Sequence, residues 1–249
     1  LLVDHASELL ASGRRVVRSL RPAGRIANVL TVWDQIWPLA VAGALSPSIT
    51  VIVLALLMRP DRPRTRVLVF WLGAVVAMLV WAILISSALW GVVTATERSL
   101  ERFSGAINLV LAVLLLAFAV WRYFRKSPDP GVKPRFDFSD LERHGLWSEA
   151  VFGAVMQGRN VTSVLLFLAA QQHIDTSQIP AYEQLALTFI VIGIITASIW
   201  LPLLLPVKAT DALHSRLAKP RDWLETHTKV IEVSAALLGS AYLFYRALA

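Results

Sequence analysis

The chain has 249 residues, 56% of them hydrophobic and only 16% charged, with 24 Lys and Arg against 17 Asp and Glu and a formal net charge of +7. That balance excludes a soluble surface and points to an integral membrane protein. The absence of cysteine excludes disulfides, thiolate nucleophiles and thiolate metal sites.

Residues 1–30 carry Arg14, Arg18, Arg21 and Arg25 on one helical face beside Val16, Val17 and Leu20. This is the pattern of an N-terminal amphipathic helix lying in the membrane interface, and equally of a solvated helix or a frayed terminus. No small-residue cleavage site follows a short apolar core, so the segment does not read as a signal peptide.

Four uncharged stretches then reach the roughly 20 residues needed to cross a hydrocarbon core: Gln35–Met58, Val67–Trp90, Phe103–Trp121 and Gln184–Val207. A fifth, Trp147–Ala170, contains Glu149 and Arg159, and a sixth, Val230–Ala249, contains Glu232 and Arg246. The pattern predicts an all-α membrane protein with six transmembrane helices, the sixth being the shortest. Pro202 and Pro206 are placed to kink or end the fifth.

Basic residues concentrate in alternate connections: four in 59–66, six in 122–146 and five in 208–229, against two in 91–102 and none in 171–183. The positive-inside rule puts the first, third and fifth connections in the cytoplasm and both termini outside. The arginine-rich residues before the first span dissent from that orientation. Residues 125–145, rich in proline and charge, read as a cytoplasmic linker.

The stretches "ALSPSITVIVLALLM" at 44–58 and "QGRNVTSVLLFLAAQ" at 157–171 align without gaps at an offset of 113, each a polar cluster leading into an apolar run. An acidic residue precedes each cluster, Asp34 in one copy and Glu149 in the other. The chain therefore divides into a first three-helix repeat over 31–124 and a second over 146–249. An odd number of helices per half makes the two repeats inverted.

Pro47 cannot donate a backbone hydrogen bond and disfavours helix at Ser46, so helix 1 breaks in mid-membrane. Lipid cannot satisfy the freed groups, whereas Ser46, Ser48 and Thr50 or a wet cavity can. A kink patched by hydroxyls, with no ligand, fits the same residues. Arg159 lies near the middle of helix 4, where a guanidinium costs at least about 2.5 kcal/mol and faces a cavity or a partner. With helix 4 broken at Asn160, the repeat brings Arg159, Asn160 and Thr162 beside Ser46 and Pro47 as one substrate-binding site. A guanidinium suits phosphate or carboxylate. The competing reading is a salt bridge from Arg159 to Glu149 or Glu232. Asp34, Glu149 and Glu232, near membrane boundaries, are candidates for proton coupling.

Asn108, Ser86, Ser87, Thr188, Thr196 and Ser198 suit hydrogen bonds between helices, and Gly43, Gly73, Gly153, Gly158 and Gly193 suit close packing. Nucleotide-binding, metalloprotease and nucleophile-elbow motifs are all missing, and the five histidines lie mostly in connections. No enzyme activity, metal or cofactor is expected. No nucleic-acid module is visible, and the basic excess suits anionic headgroups.

The stretch "LAVAGALSPSITVIVLALLMRPDRPRTRVLVFWLGAVV" at 39–76 resembles the lipid-addressing proteins of the lysine exporter superfamily. Their first-helix "SP", basic loop and "F-x-x-G" second helix are matched by Ser46-Pro47, Arg59 to Arg66 and Phe70 to Gly73. The resemblance implies a bacterial cytoplasmic membrane transporter that exports or flips an anionic lipid-linked envelope component, a glycolipid or lipid phosphate. Its implied partners are membrane lipids, further copies of the chain or envelope-assembly proteins. A proton-coupled small-solute exporter and a non-transporting scaffold are the alternatives. Arg159-Asn160 stands where a symmetric copy would carry Ser-Pro, which disfavours a cationic substrate.

Overall fold

The computed structural model describes residues 22–59, 61–95, 100–125, 145–204 and 211–248. The basic segment at 1–21 and the linker at 126–144 lie outside the described residues.

Every described element is helical. Pro22–Ala44 forms α1 and Pro47–Leu57 forms α2, with Pro47 at the first helical position of α2, where its missing N–H would be unpaired anyway. The division drawn at 30/31 falls inside α1, which is continuous there. Pro63–Ala95 forms α3 and Leu100–Phe124 forms α4. Gly145–Gly158 forms α5 and Val161–Asp175 forms α6, whose start is capped by Asn160. Ala181–Ile195 forms α7, followed by the short α8 at Ala197–Trp200 and a 3-10 turn at Leu201–Leu204. Asp211–Leu248 forms α9.

Three stretches are single helices long and apolar enough to span a bilayer: Pro63–Leu89, Gly105–Phe124 and Thr226–Leu248. Three more spans exist if each bent pair counts as one: α1 with α2, bent by 56°, α5 with α6, by 73°, and α7 with α8, by 50°. The breaks expected at Pro47 and Asn160 are both present.

One expectation needs correction: the sixth helix is the longest described, at 38 residues, its apolar span Thr226–Leu248 continuing from the charged stretch before it. The α-helix of the fifth gives way to a 3-10 turn around Pro202, in keeping with that proline's placement, but it bends already at Thr196. Thr196 Oγ1 donates to the Ile192 carbonyl at 2.8 Å and accepts from Trp71 Nε1 at 3.1 Å, while Trp200 Nε1 donates to the Gly193 carbonyl at 2.8 Å. Side chains thus satisfy backbone that no proline disturbs, a device that proline and glycine spacing does not announce.

The outer faces of the spans expose Leu72, Val76, Val80 and Ile83 of α3 and Val110, Val113 and Leu114 of α4, as lipid contact requires. Inside, Ile36, Leu39, Leu115, Leu166, Phe167 and Ile192 fill one core, and Val53, Leu56, Phe70, Phe152 and Ile199 a second. The second core holds a close crossing, α3 on α5. A Cβ on Gly73 would run into the Ala150 carbonyl oxygen, and one on Gly153 into the Phe70 carbonyl oxygen. Small residues let backbones meet where lipid provides no hydrophobic drive between helices.

Gly153→Ala is expected to cost about 3 kcal/mol, the upper end for overpacking, because the obstacle is backbone. Gly193→Ala, where an added Cβ meets nothing within 4 Å, serves as the control. Thermal unfolding of both variants in detergent checks the contrast.

Candidate functional site

The two breaks meet. Ser46 caps α2 with φ −122° and ψ 82°, outside the helical region, as the following proline dictates. Asn160 caps α6, its side-chain oxygen accepting from the Ser163 backbone N–H at 3.4 Å. Asn160 Nδ2 donates to Ser46 Oγ at 2.8 Å and to Ser163 Oγ at 2.7 Å, and Ser163 Oγ donates to the Gly43 carbonyl at 2.6 Å. One side chain from the second half thereby ties both interruptions together. The caps are 114 residues apart, one more than the sequence offset, so Asn160 is the partner of Ser46 and Arg159 falls outside the cap.

Beside this knot lies a cavity of about 730 Å³. Four of the seven expected site residues line it: Ser48, Arg159, Asn160 and Thr162. The other three do not. Ser46 is buried under Asn160, Pro47 is buried within the second core's helix, and Thr50 donates its hydroxyl to the Ser46 carbonyl at 3.0 Å. The helical period decides this, since Ser48 and Ile52 share a face one turn apart while 46, 47 and 50 turn elsewhere.

Sequence reasoning missed the opposite wall, formed by Phe118, Trp121, Arg122 and Arg125 at the end of α4. The signal was the aromatic–basic run "WRYFR", which had been counted only as loop charge. Arg125 lies over the Trp121 ring, 4.8 Å from its centroid.

Glu232 of α9 is the one carboxylate among the described residues that line the cavity. It accepts from the Ser48 hydroxyl at 2.5 Å through Oε1 and from Arg122 Nε at 2.7 Å through Oε2. Glu149 is elsewhere, fully buried at the start of α5, 2.7 Å from Arg66 and 3.8 Å from Arg59. The salt bridge considered for Arg159 is therefore not made, because each carboxylate pairs with a different arginine. Arg159 is exposed at the cavity wall and takes part in no ion pair among the described residues. Asp34 is exposed on α1, away from the cavity.

The far end of α6 carries a second polar group. Asp175 accepts from Ser86 Oγ at 2.7 Å and from Gln171 Nε2 at 2.8 Å, and Gln171 Oε1 accepts from Thr188 Oγ1 at 3.1 Å. A smaller cavity of about 290 Å³ adjoins it, lined by Asn28, Thr31, Gln35 and His173 among others. At 1.5 Å per residue, the 15-residue α6 separates the two cavities by roughly 20 Å.

Spans that break and restart around a polar knot, with a cavity beside it, belong to a multi-pass helical membrane protein. The model of the Sap, sulfolipid-1-addressing protein, family matches residues 36–249, and the chain belongs to that family. It is accordingly a lipid-related membrane protein. No curated protein and no solved structure matches it.

Proposed function

We propose that the protein translocates an anionic lipid-linked envelope component across the bacterial cytoplasmic membrane, with the charged headgroup in the 730 Å³ cavity and the tail left in lipid. The cavity itself carries this reading. Three arginines line it, and so do the first turns of both α2 and α6, at Ser48 and Ile49 and at Val161 and Thr162. Two helix N-termini and three guanidiniums favour an anion. Trp121, 52% exposed, and Val161, 39% exposed, line the cavity, and such large exposed apolar side chains on its wall suit contact with a lipid tail. A small-solute exporter would need a closed aqueous route, and a scaffold would need no cavity.

Inverted repeats would account for part of the packing. If α1–α2 corresponds to α5–α6, α3 to α7–α8 and α4 to α9, then α3 on α5 mirrors α7 on α1, and α2 on α9 mirrors α6 on α4, whereas the packing of α1 and α3 on α6 has no counterpart of similar extent on α2. Rocking of one half against the other around the Ser46–Asn160 contact would open the two cavities in turn.

The test is transfer of a sulfated galactosylceramide with a fluorescent acyl chain between leaflets of proteoliposomes, read by quenching from outside. Transfer faster than in protein-free vesicles, and faster than for the unsulfated lipid, is expected; equality with protein-free vesicles overturns the reading. The orientation is tested separately. Cysteines substituted into 59–66 and 125–140 are expected to label from the cytoplasmic side and those in 173–181 from outside, and the reverse pattern sinks it.

A further inference from the structure

The proposal that an anionic headgroup enters the arginine-lined cavity leaves one group unexplained. Glu232, a carboxylate, sits in that cavity with both oxygens engaged, one by the Ser48 hydroxyl at 2.5 Å and one by Arg122 Nε at 2.7 Å. Those are donors an entering anion would seek, one from a side chain in the first turn of α2 and one from a guanidinium of the cavity wall. Arg159 and Arg125 are both exposed, the first without an ion pair among the described residues and the second over Trp121.

We infer that Glu232 is a built-in competitor for the ligand's anionic group, holding Ser48 and Arg122 until a sulfate or phosphate ester displaces it. This rests on the proposed function and deepens it. Three arginines with no internal anion would hold a dehydrated sulfate or phosphate too firmly to release it, and transport requires binding weak enough to leave. A carboxylate that swings back onto Arg122 and Ser48 as the ligand departs replaces one set of charge-assisted hydrogen bonds with another, so release strands no buried charge. The position suits that exchange, because the Glu232 side chain is 16% and the Arg122 side chain 22% exposed, leaving the pair open to an incoming group. Glu149 offers the contrast: it is wholly buried against Arg66 and lines neither of the two cavities described, so it is closed to an incoming group there.

The experiment measures equilibrium binding of the fluorescent sulfated galactosylceramide to the full chain in phosphatidylcholine nanodiscs, with the unsulfated lipid as control. Glu232→Gln keeps the size of the side chain and an acceptor for Ser48 but removes the competing charge. It is expected to lower Kd for the sulfated lipid about tenfold, to leave the unsulfated lipid unchanged and to slow transfer between leaflets. Glu232→Asp retains the charge on a shorter side chain that competes less well, and is expected to fall between wild type and Glu232→Gln. A Glu232→Gln variant with unaltered thermal stability that binds the sulfated lipid no tighter than wild type overturns the inference. Should Glu232→Gln not fold, the neutral pair Arg122→Gln/Glu232→Gln takes its place and must bind at least as tightly as wild type, since loss of the competitor offsets loss of one arginine; weaker binding overturns it. If wild type itself does not distinguish sulfated from unsulfated lipid, the function proposed above fails, and the competitor role fails with it.

Discussion

Arg159→Ala is expected to reduce binding and transfer of the sulfated lipid by on the order of a hundredfold, the effect of losing hydrogen bonds to a charged group, while leaving thermal stability within about 0.5 kcal/mol. Both halves of that expectation come from the same geometry. Arg159 lines the cavity but is exposed and takes part in no ion pair among the described residues, so its removal strands no carboxylate. Arg159→Lys should fall between, keeping the charge but losing the planar fork that holds an ester's oxygens in pairs. Leaflet transfer and melting temperature measured on the same three proteins decide the matter. Normal transfer by a well-folded Arg159→Ala chain would remove Arg159 from the site, and a large loss of stability would reinstate a structural role for it.

Glu149→Ala should do the reverse, costing about 3–5 kcal/mol of stability, because it leaves the Arg66 guanidinium, its side chain 13% exposed, without the buried carboxylate it pairs with at 2.7 Å. Arg66 retains Asp61 at 3.1 Å, but that carboxylate is 70% exposed and hydrated, a weaker anchor than a wholly buried one. Combining Glu149→Leu with Arg66→Met should recover part of the loss, since it removes both partners of the 2.7 Å pair, while Arg59, 3.8 Å from Glu149, still loses that carboxylate. Unfolding of single and double variants checks this. A Glu149→Ala protein as stable as wild type would mean that the ion pair is idle.

These two residues mark how far the linear chain could be read. The polar insertions at Ser46 to Thr50 and at Arg159-Asn160 stood out because lipid admits no unsatisfied backbone, so proline and asparagine inside apolar runs had to mark breaks. The third break was invisible because Thr196, Trp71 and Trp200 create it with side chains that could as well have crossed a straight helix. Arg159, Glu149 and Glu232 were all visible as costly charges, but their pairing was not, since the arginines that take the carboxylates, Arg66 and Arg122, lie on other helices and charge attraction alone permits every combination. The arginines of α4 were legible as charge, and their place on the cavity wall depended on how α4 packs against α9 and α6.

Composition and hydropathy alone determined that this chain is a helical membrane protein, that polar interruptions divide two of its spans, and that a matching interruption recurs in each half. Those follow from the bilayer, which acts on every residue separately and so writes its demands into the linear order. Only the tertiary structure decided that Asn160 bridges to Ser46, that Glu232 takes Arg122 and leaves Arg159 to the cavity, and that Gly73 and Gly153 let α3 and α5 touch backbone to backbone. Those depend on helix rotation and crossing, set by the joint packing of residues far apart in the chain, and no local pattern carries that information.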